Sequence, residues 1–88
     1  MTYTVTILRR AQKELSALPQ DVYVRIRESI WKLADEPRPS GSRKLAGRSG
    51  WRIRMGAYRV VYEIDDAKHV ITVMHIGHRR DVYRAAQG

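Results

Sequence analysis

Residues 51–64 read WRIRMGAYRVVYEI, and the fold turns on how this stretch pairs with itself. Large apolar residues alternate with arginine on the first side, Gly56-Ala57 follows, and residues 58–64 form a second β-type run. A two-residue loop with glycine in its first position is the sequence signature of a type II′ hairpin turn. That turn fixes the register: Met55 faces Tyr58, Arg54 faces Arg59, Ile53 faces Val60, Arg52 faces Val61 and Trp51 faces Tyr62. Side chains alternate between the faces of a strand. One face therefore carries Trp51, Ile53, Met55, Tyr58, Val60 and Tyr62, a core. The other carries Arg52, Arg54 and Arg59, with Val61 between them.

Like charges directly opposite one another weaken a strand pair. Two explanations stand open. The guanidinium groups splay into water or pair with Glu63 and other acids, or an anion completes the patch. Arginine suits the second role, because its planar fork donates in bidentate fashion to phosphate. Strands also hold such a patch more rigidly than loops do.

Working outward, residues 2–8 alternate Tyr3, Val5 and Ile7 with threonines, which predicts a strand. Residues 9–18 place Ala11, Leu15 and Leu18 on one helical face. Pro19 ends that helix or opens the next. Residues 21–35 carry Val22, Ile26, Ile30 and Leu33 at spacings of four, four and three, an amphipathic helix that stops before EPRPSGS. A basic loop, KLAGRSG, leads into Trp51–Met55. After the hairpin, residues 65–68 turn the chain into a last strand over 70–76. The order β-α-α-β-β-β with a C-terminal appendage predicts an α+β fold, two helices packed on a mainly antiparallel sheet. Residues 85–88 read as a frayed tail.

Because strand 70–76 pairs with 58–64, the chain leaves it close to the Gly56-Ala57 turn. The following GHRRDVYR thus brings His78, Arg79, Arg80, Tyr83 and Arg84 toward Arg54 and Arg59. Tyr83 there stacks on a base or exchanges a proton, or instead anchors the tail to the core. His69, His75 and His78 show no metal-ligand spacing with carboxylates, and His75, in an apolar strand, reads as a core histidine. Trp31 and Trp51 read as packing residues. Neither a glycine-rich phosphate loop nor a nucleophile–base pair of the Ser/His/Asp kind is present.

The length, 88 residues, predicts one domain. There is no cysteine, which excludes a disulfide framework and fits a reducing compartment. The N-terminus has neither the cationic start nor the apolar run of a signal peptide, and no segment approaches the ~20 apolar residues of a membrane span. These features predict a cytoplasmic protein without membrane contact. Seventeen Lys and Arg against nine Asp and Glu give a net charge of +8. Such an excess on a small domain is the footprint of a polyanionic partner. Between Glu36 and Glu63 there is no acid, yet Arg38, Arg43, Lys44, Arg48, Arg52, Arg54 and Arg59 all fall there. Arg43, Lys44, Arg48, His78, Arg80 and Arg84 are the expected RNA- or phosphate-binding residues around the hairpin.

The order of elements, the central YRVVYEI and above all IGHRRDVYR resemble the RelE family of prokaryotic toxins from toxin–antitoxin pairs, within the RelE/ParE superfamily. The similarity runs from TYTVTILRRAQKEL to Arg84. It implies a metal-independent, cofactor-free endoribonuclease that enters the ribosomal A site and cuts mRNA there. The 2′-hydroxyl attacks the neighbouring phosphate, leaving a 2′,3′-cyclic phosphate and a free 5′-hydroxyl. It also implies an antitoxin from the neighbouring gene, a 70S ribosome and mRNA as partners, and operator DNA bound only by the toxin–antitoxin complex. Arg59, in YRVVY, and Arg79, in GHRR, match catalytic arginines of the family. Tyr83, in DVY, matches its C-terminal tyrosine. In the family's best-studied pattern lysines stand at the positions of Arg52 and Arg54. Arginine does not deprotonate, so either the general base is another group, with Tyr83 and His78 as the candidates, or the mechanism relies on charge alone. The Arg79-to-Tyr83 spacing is also shorter than in that pattern. A ParE-like inhibitor of DNA gyrase and a non-catalytic nucleic-acid-binding module are the competing readings.

Overall fold

A computed structural model describes residues 2–47 and 49–78. The elements are β1 (Thr4–Ile7), α1 (Arg9–Ser16), α2 (Gln20–Lys32), β2 (Arg43–Lys44), β3 (Trp51–Met55), β4 (Tyr58–Asp65) and β5 (Val70–His78). Helix α1 buries Ala11 and Leu15, one turn apart. Pro19 is the N-cap of α2, so it closes one helix and opens the next. Asp21 in the first turn and Lys32 in the last both suit the helix dipole. The α-helical ladder of α2 ends before the expected 35. Leu33, Ala34 and Asp35 donate instead to Ile30, Trp31 and Lys32 at 3.1 Å each, three residues back, so the last turn tightens toward a 3₁₀ form.

The strands form one sheet in the order β1-β5-β4-β3-β2. Strand β1 runs parallel to β5, with Val5 beside Ile71 and Ile7 beside Val73, and the other pairs are antiparallel. The α+β architecture is as expected, with one strand more. Arg43–Lys44, assigned to loop from the sequence, pairs with β3 as a fifth strand. Two residues are too short to show an alternating pattern, so nothing in the local sequence marks it.

Both helices cover one face of the sheet. Ala11, Leu15, Ile26, Ile30 and Leu33 pack against Ile53, Val60, Tyr62, Ile71, Val73 and Ile76. No described helix covers the opposite, open face, although Arg59 and Val61 on it are buried. One irregularity in β5 decides what stands there. Val61 pairs with His75, yet the next residue, Tyr62, pairs with Val73, which leaves Met74 as an extra residue. This β-bulge reverses the alternation of β5. Ile71 and Val73 point to the core before it, and Ile76 does so after it. His75 is therefore not the core histidine its strand context suggests: it is half-buried on the open face.

Candidate active site

The hairpin has the register read from its turn. Met55, Arg54, Ile53, Arg52 and Trp51 pair with Tyr58, Arg59, Val60, Val61 and Tyr62 respectively. Gly56 has φ +63, the left-handed conformation that the first position of a type II′ turn requires. Arg54 and Arg59 stand directly opposite one another on the open face. In a hairpin of this kind they form the non-hydrogen-bonded pair, whose Cα atoms approach to roughly 4.5 Å. The short strand β2 adds a second facing pair, Arg43 opposite Arg52. Two rows thus cross the sheet: Arg43, Arg52, Val61 and His75, then Arg54, Arg59 and Gly77.

These cations differ in depth. Arg43 and Arg54 are exposed, Arg52 is half-buried, and Arg59 is only 4% exposed. An arginine so deep is costly to desolvate unless its surroundings satisfy it, so its place on β4 is well defined. Arg43, Arg52 and Arg54 also line an open cleft of about 290 Å³, together with Ser40, Gly41 and Ile53. The far wall of the cleft belongs to the segment between α2 and β2.

A clamp fixes that segment. The Arg38 guanidinium donates to both oxygens of Asp66, at 3.3 and 2.8 Å, and the Tyr3 hydroxyl donates to Asp66 Oδ1 at 2.6 Å. Arg38 lies over the Trp51 ring, 5.1 Å from its centroid, and Tyr62 donates to the Pro37 carbonyl at 2.7 Å. The hydrogen bonds from Arg38 and then Tyr3 hold the Asp66 carboxyl down at about 2. Burial pushes the Tyr62 phenol up to about 12, so it remains a neutral donor.

Two of the expected phosphate-binding residues stand elsewhere. Lys44 pairs with Trp51, and its side chain is on the helix-side face. His78 pairs with Tyr58 on that same side, the two rings meeting edge-on at 6.1 Å. Arg48, Arg79, Arg80, Tyr83 and Arg84 lie outside the described residues. Sequence reasoning missed Arg43 as the partner of Arg52, the cleft at Ser40 and Gly41, and His75. No local signal announces any of these, because each depends on β2 or on the bulge. Among the described residues no group of three or more histidines, aspartates and glutamates stands close enough to hold a metal ion.

Comparison with known proteins places this arrangement. Residues 5–83 match the family described as ParE toxin of type II toxin-antitoxin system, parDE. The chain belongs to the RelE/ParE superfamily of toxins. Within it, the chain is 34% identical over 88 residues to Toxin RelG of Mycobacterium tuberculosis, covering 96% of this chain and 99% of that one. The RelE–RelB complex of the archaeon Pyrococcus horikoshii is similar at 34% identity and a TM-score of 0.80, over 90% of this chain and 97% of that one. The RelBE2 toxin–antitoxin complex of M. tuberculosis gives a TM-score of 0.80 at 27% identity, over 90% of this chain and all of that one. The chain is thus a RelE-family toxin of a toxin–antitoxin system, and its facing arginines stand on a RelE-like sheet.

Proposed function

We propose that this toxin is a ribosome-dependent endoribonuclease that cleaves mRNA in the A site. The observation that supports it best is the pair of facing arginine pairs, Arg54–Arg59 and Arg43–Arg52, held by antiparallel strands beside a cleft. Cleavage by the 2′-hydroxyl needs a group to take its proton and cations for the charge that develops on the phosphorane. Arg59, deep and fixed, suits the reacting phosphate. Arg54 and Arg52 flank it, and Arg43 reaches the next phosphate along the cleft. Arg79 and Tyr83 enter this reading through the family resemblance alone. Without a preorganised strong base, free RNA is a poor substrate, and the ribosome supplies the bent geometry for attack.

Relatives were solved as complexes of RelE with RelB. By analogy, a cognate antitoxin binds this chain, and operator DNA is bound only by that complex. The reaction belongs in the cytoplasm, where translation runs. Among the described residues no helix is long and apolar enough to cross a membrane.

The test is to map mRNA 5′ ends in a reconstituted translation reaction. New ends at A-site codons, on translated message only, are expected with the wild type and not with Arg59→Ala. The ParE description of the matching family favours one rival, inhibition of DNA gyrase. Undisturbed translation together with lost supercoiling activity in a gyrase assay would establish that rival instead.

A further inference from the structure

We propose that the outer face of α2 is a self-association surface, on which a second copy of this chain packs with its α2 parallel and Trp31 against Trp31. The inference stands apart from the endoribonuclease reading. Among the described residues the exposed large apolar side chains are Leu8, at 39%, and Trp31, at 53%. Ile26 and Ile30 hold the core side of α2. At 3.6 residues per turn, Val24, Arg27 and Trp31 fall in one row on the other side. Val24, two turns before the indole, is half-buried, so the row has two apolar members on a side that no described element covers.

The row is prepared for contact. The Arg27 guanidinium lies over the Tyr23 ring, 5.5 Å from its centroid, and Trp31 follows one turn later. Tyrosine, arginine and tryptophan are the residue types that dominate the energetics of protein interfaces. A guanidinium already held on a ring loses less freedom when a partner arrives.

Charge says which partner. The exposed charged residues of α2 and its last turn are Asp21, Glu28 and Asp35 against Arg25, Arg27 and Lys32, three of each sign. This face is therefore neutral on a chain of net charge +8. An RNA or an acidic protein is drawn to the arginines across the sheet instead. A second copy is repelled by those arginines, and by α1, where Arg9, Arg10 and Lys13 outnumber Glu14. It meets no net repulsion at α2.

The order of the signs selects the orientation. Arg27 is four residues before Trp31 and Glu28 is three before it, so the two lie on opposite flanks of the indole. A two-fold axis running along the helices sets opposite flanks together, and Arg27 of each copy then faces Glu28 of the other. An axis running across the helices sets like flanks together and would put Glu28 against Glu28. Among the described residues neither Arg27 nor Glu28 has an ion pair, so both are available. The contact is isologous: Val24 and Trp31 meet their own copies, and the Arg27–Glu28 pair occurs twice. Helix α2 has 13 residues and is roughly 20 Å long, so one row on it buries less than a standard interface and the dimer is weak and reversible. The helices cover the face of the sheet opposite the arginines, so both copies keep their arginine face uncovered.

The test is sedimentation equilibrium of the whole chain from about 1 to 500 µM, the range of a weak complex. The wild type should pass from monomer to dimer. Trp31→Ala should weaken association by about tenfold or more, as the loss of a central interface tryptophan does. Leu8→Ala, which removes the other exposed apolar side chain, should leave it unchanged. Arg27→Glu and Glu28→Arg should each lose the dimer, because each sets like charges together twice. An equimolar mixture of these two variants should regain it, and so should the double variant. The substituted side chains are exposed, and the urea unfolding midpoint of each variant should match the wild type. A wild type that stays monomeric to the highest concentration overturns the proposal, as does a Trp31→Ala variant that associates like the wild type. Charge variants that associate like the wild type overturn the parallel pairing. A monomeric wild type whose Trp31→Ala variant instead loses binding of the cognate antitoxin gives this face to that partner, and the proposal falls.

Discussion

An arginine that never loses its proton can hold a phosphate but cannot deprotonate a hydroxyl. Arg54 and Arg59 face one another at close quarters, and like charges directly opposite one another weaken a strand pair. Arg54→Ala should therefore stabilise the fold by up to about 1 kcal/mol while lowering cleavage. Urea unfolding at low salt, set beside the cleavage rate, checks both halves. The stability gain should shrink at high salt, where the repulsion is screened. A loss of stability would show that the pair is already neutralised within the chain. Arg59→Ala should cost roughly 10²- to 10³-fold in cleavage, as does the loss of one preorganised donor to a developing oxyanion. The two pairs differ in how readily the sequence reveals them. Arg54 against Arg59 follows from one glycine turn. Arg43 against Arg52 needs a two-residue strand, and the depth of Arg59 shows only in the assembled structure.

Strand β5 shows why elements are read with unequal success. Strand β1 ends at Ile7 opposite Val73, and the last backbone bond between them runs from the Leu8 amide to the Val73 carbonyl at 3.1 Å. Beyond that point the β1 side of β5 is an edge, and Glu14 of α1 closes it by accepting from the Ile76 amide at 3.0 Å. A carboxylate on an edge amide also blocks pairing with a stray strand. Glu14→Ala leaves this amide without its acceptor beside the buried Ile76 side chain and should destabilise the protein by about 1–3 kcal/mol. Glu14→Gln, which retains an acceptor, should lose less, and chemical denaturation of the two variants compares them. Both helices and four of the five strands were legible, because apolar periodicity and turn residues are local signals. The parallel pairing of β1 with β5 joins Thr4 to Val70 across most of the chain, and periodicity does not encode partners. The bulge at Met74 was hidden for the same reason. Whether a strand keeps its alternation depends on the register of its neighbour, and so the open-face position of His75 emerges only from the assembled sheet.

The whole molecule is tied together at the end of the sheet away from the hairpin turn. Asp66 accepts from Tyr3, 63 residues earlier in the chain, and from Arg38, so one carboxylate joins the N-terminal strand, the loop after α2 and the β4–β5 turn. The ordinary value for this carboxyl is 3.8, and the hydrogen bond from Arg38, then that from Tyr3, brings it to about 2 in the folded chain. Between those values the unfolded chain binds more protons than the folded one, so stability rises with pH in that window. The contribution is complete above the unfolded value and disappears as pH falls through the folded one. Asp66→Asn should therefore unfold at a lower temperature than the wild type at neutral pH, and the gap should close between about pH 4 and pH 2. Protonation of the other carboxylates affects both proteins and cancels in the difference. The clamp is exposed, so the gap should be modest and should narrow with salt. Thermal unfolding of both proteins across that range decides it, and a gap that persists at pH 2 would mean that Asp66 acts through packing rather than charge. The same substitution frees the loop carrying Ser40 and Gly41 from its anchor at Arg38, so the cleft beside Arg43, Arg52 and Arg54 should widen, and on the endoribonuclease proposal cleavage by Asp66→Asn should become more sensitive to salt than cleavage by the wild type.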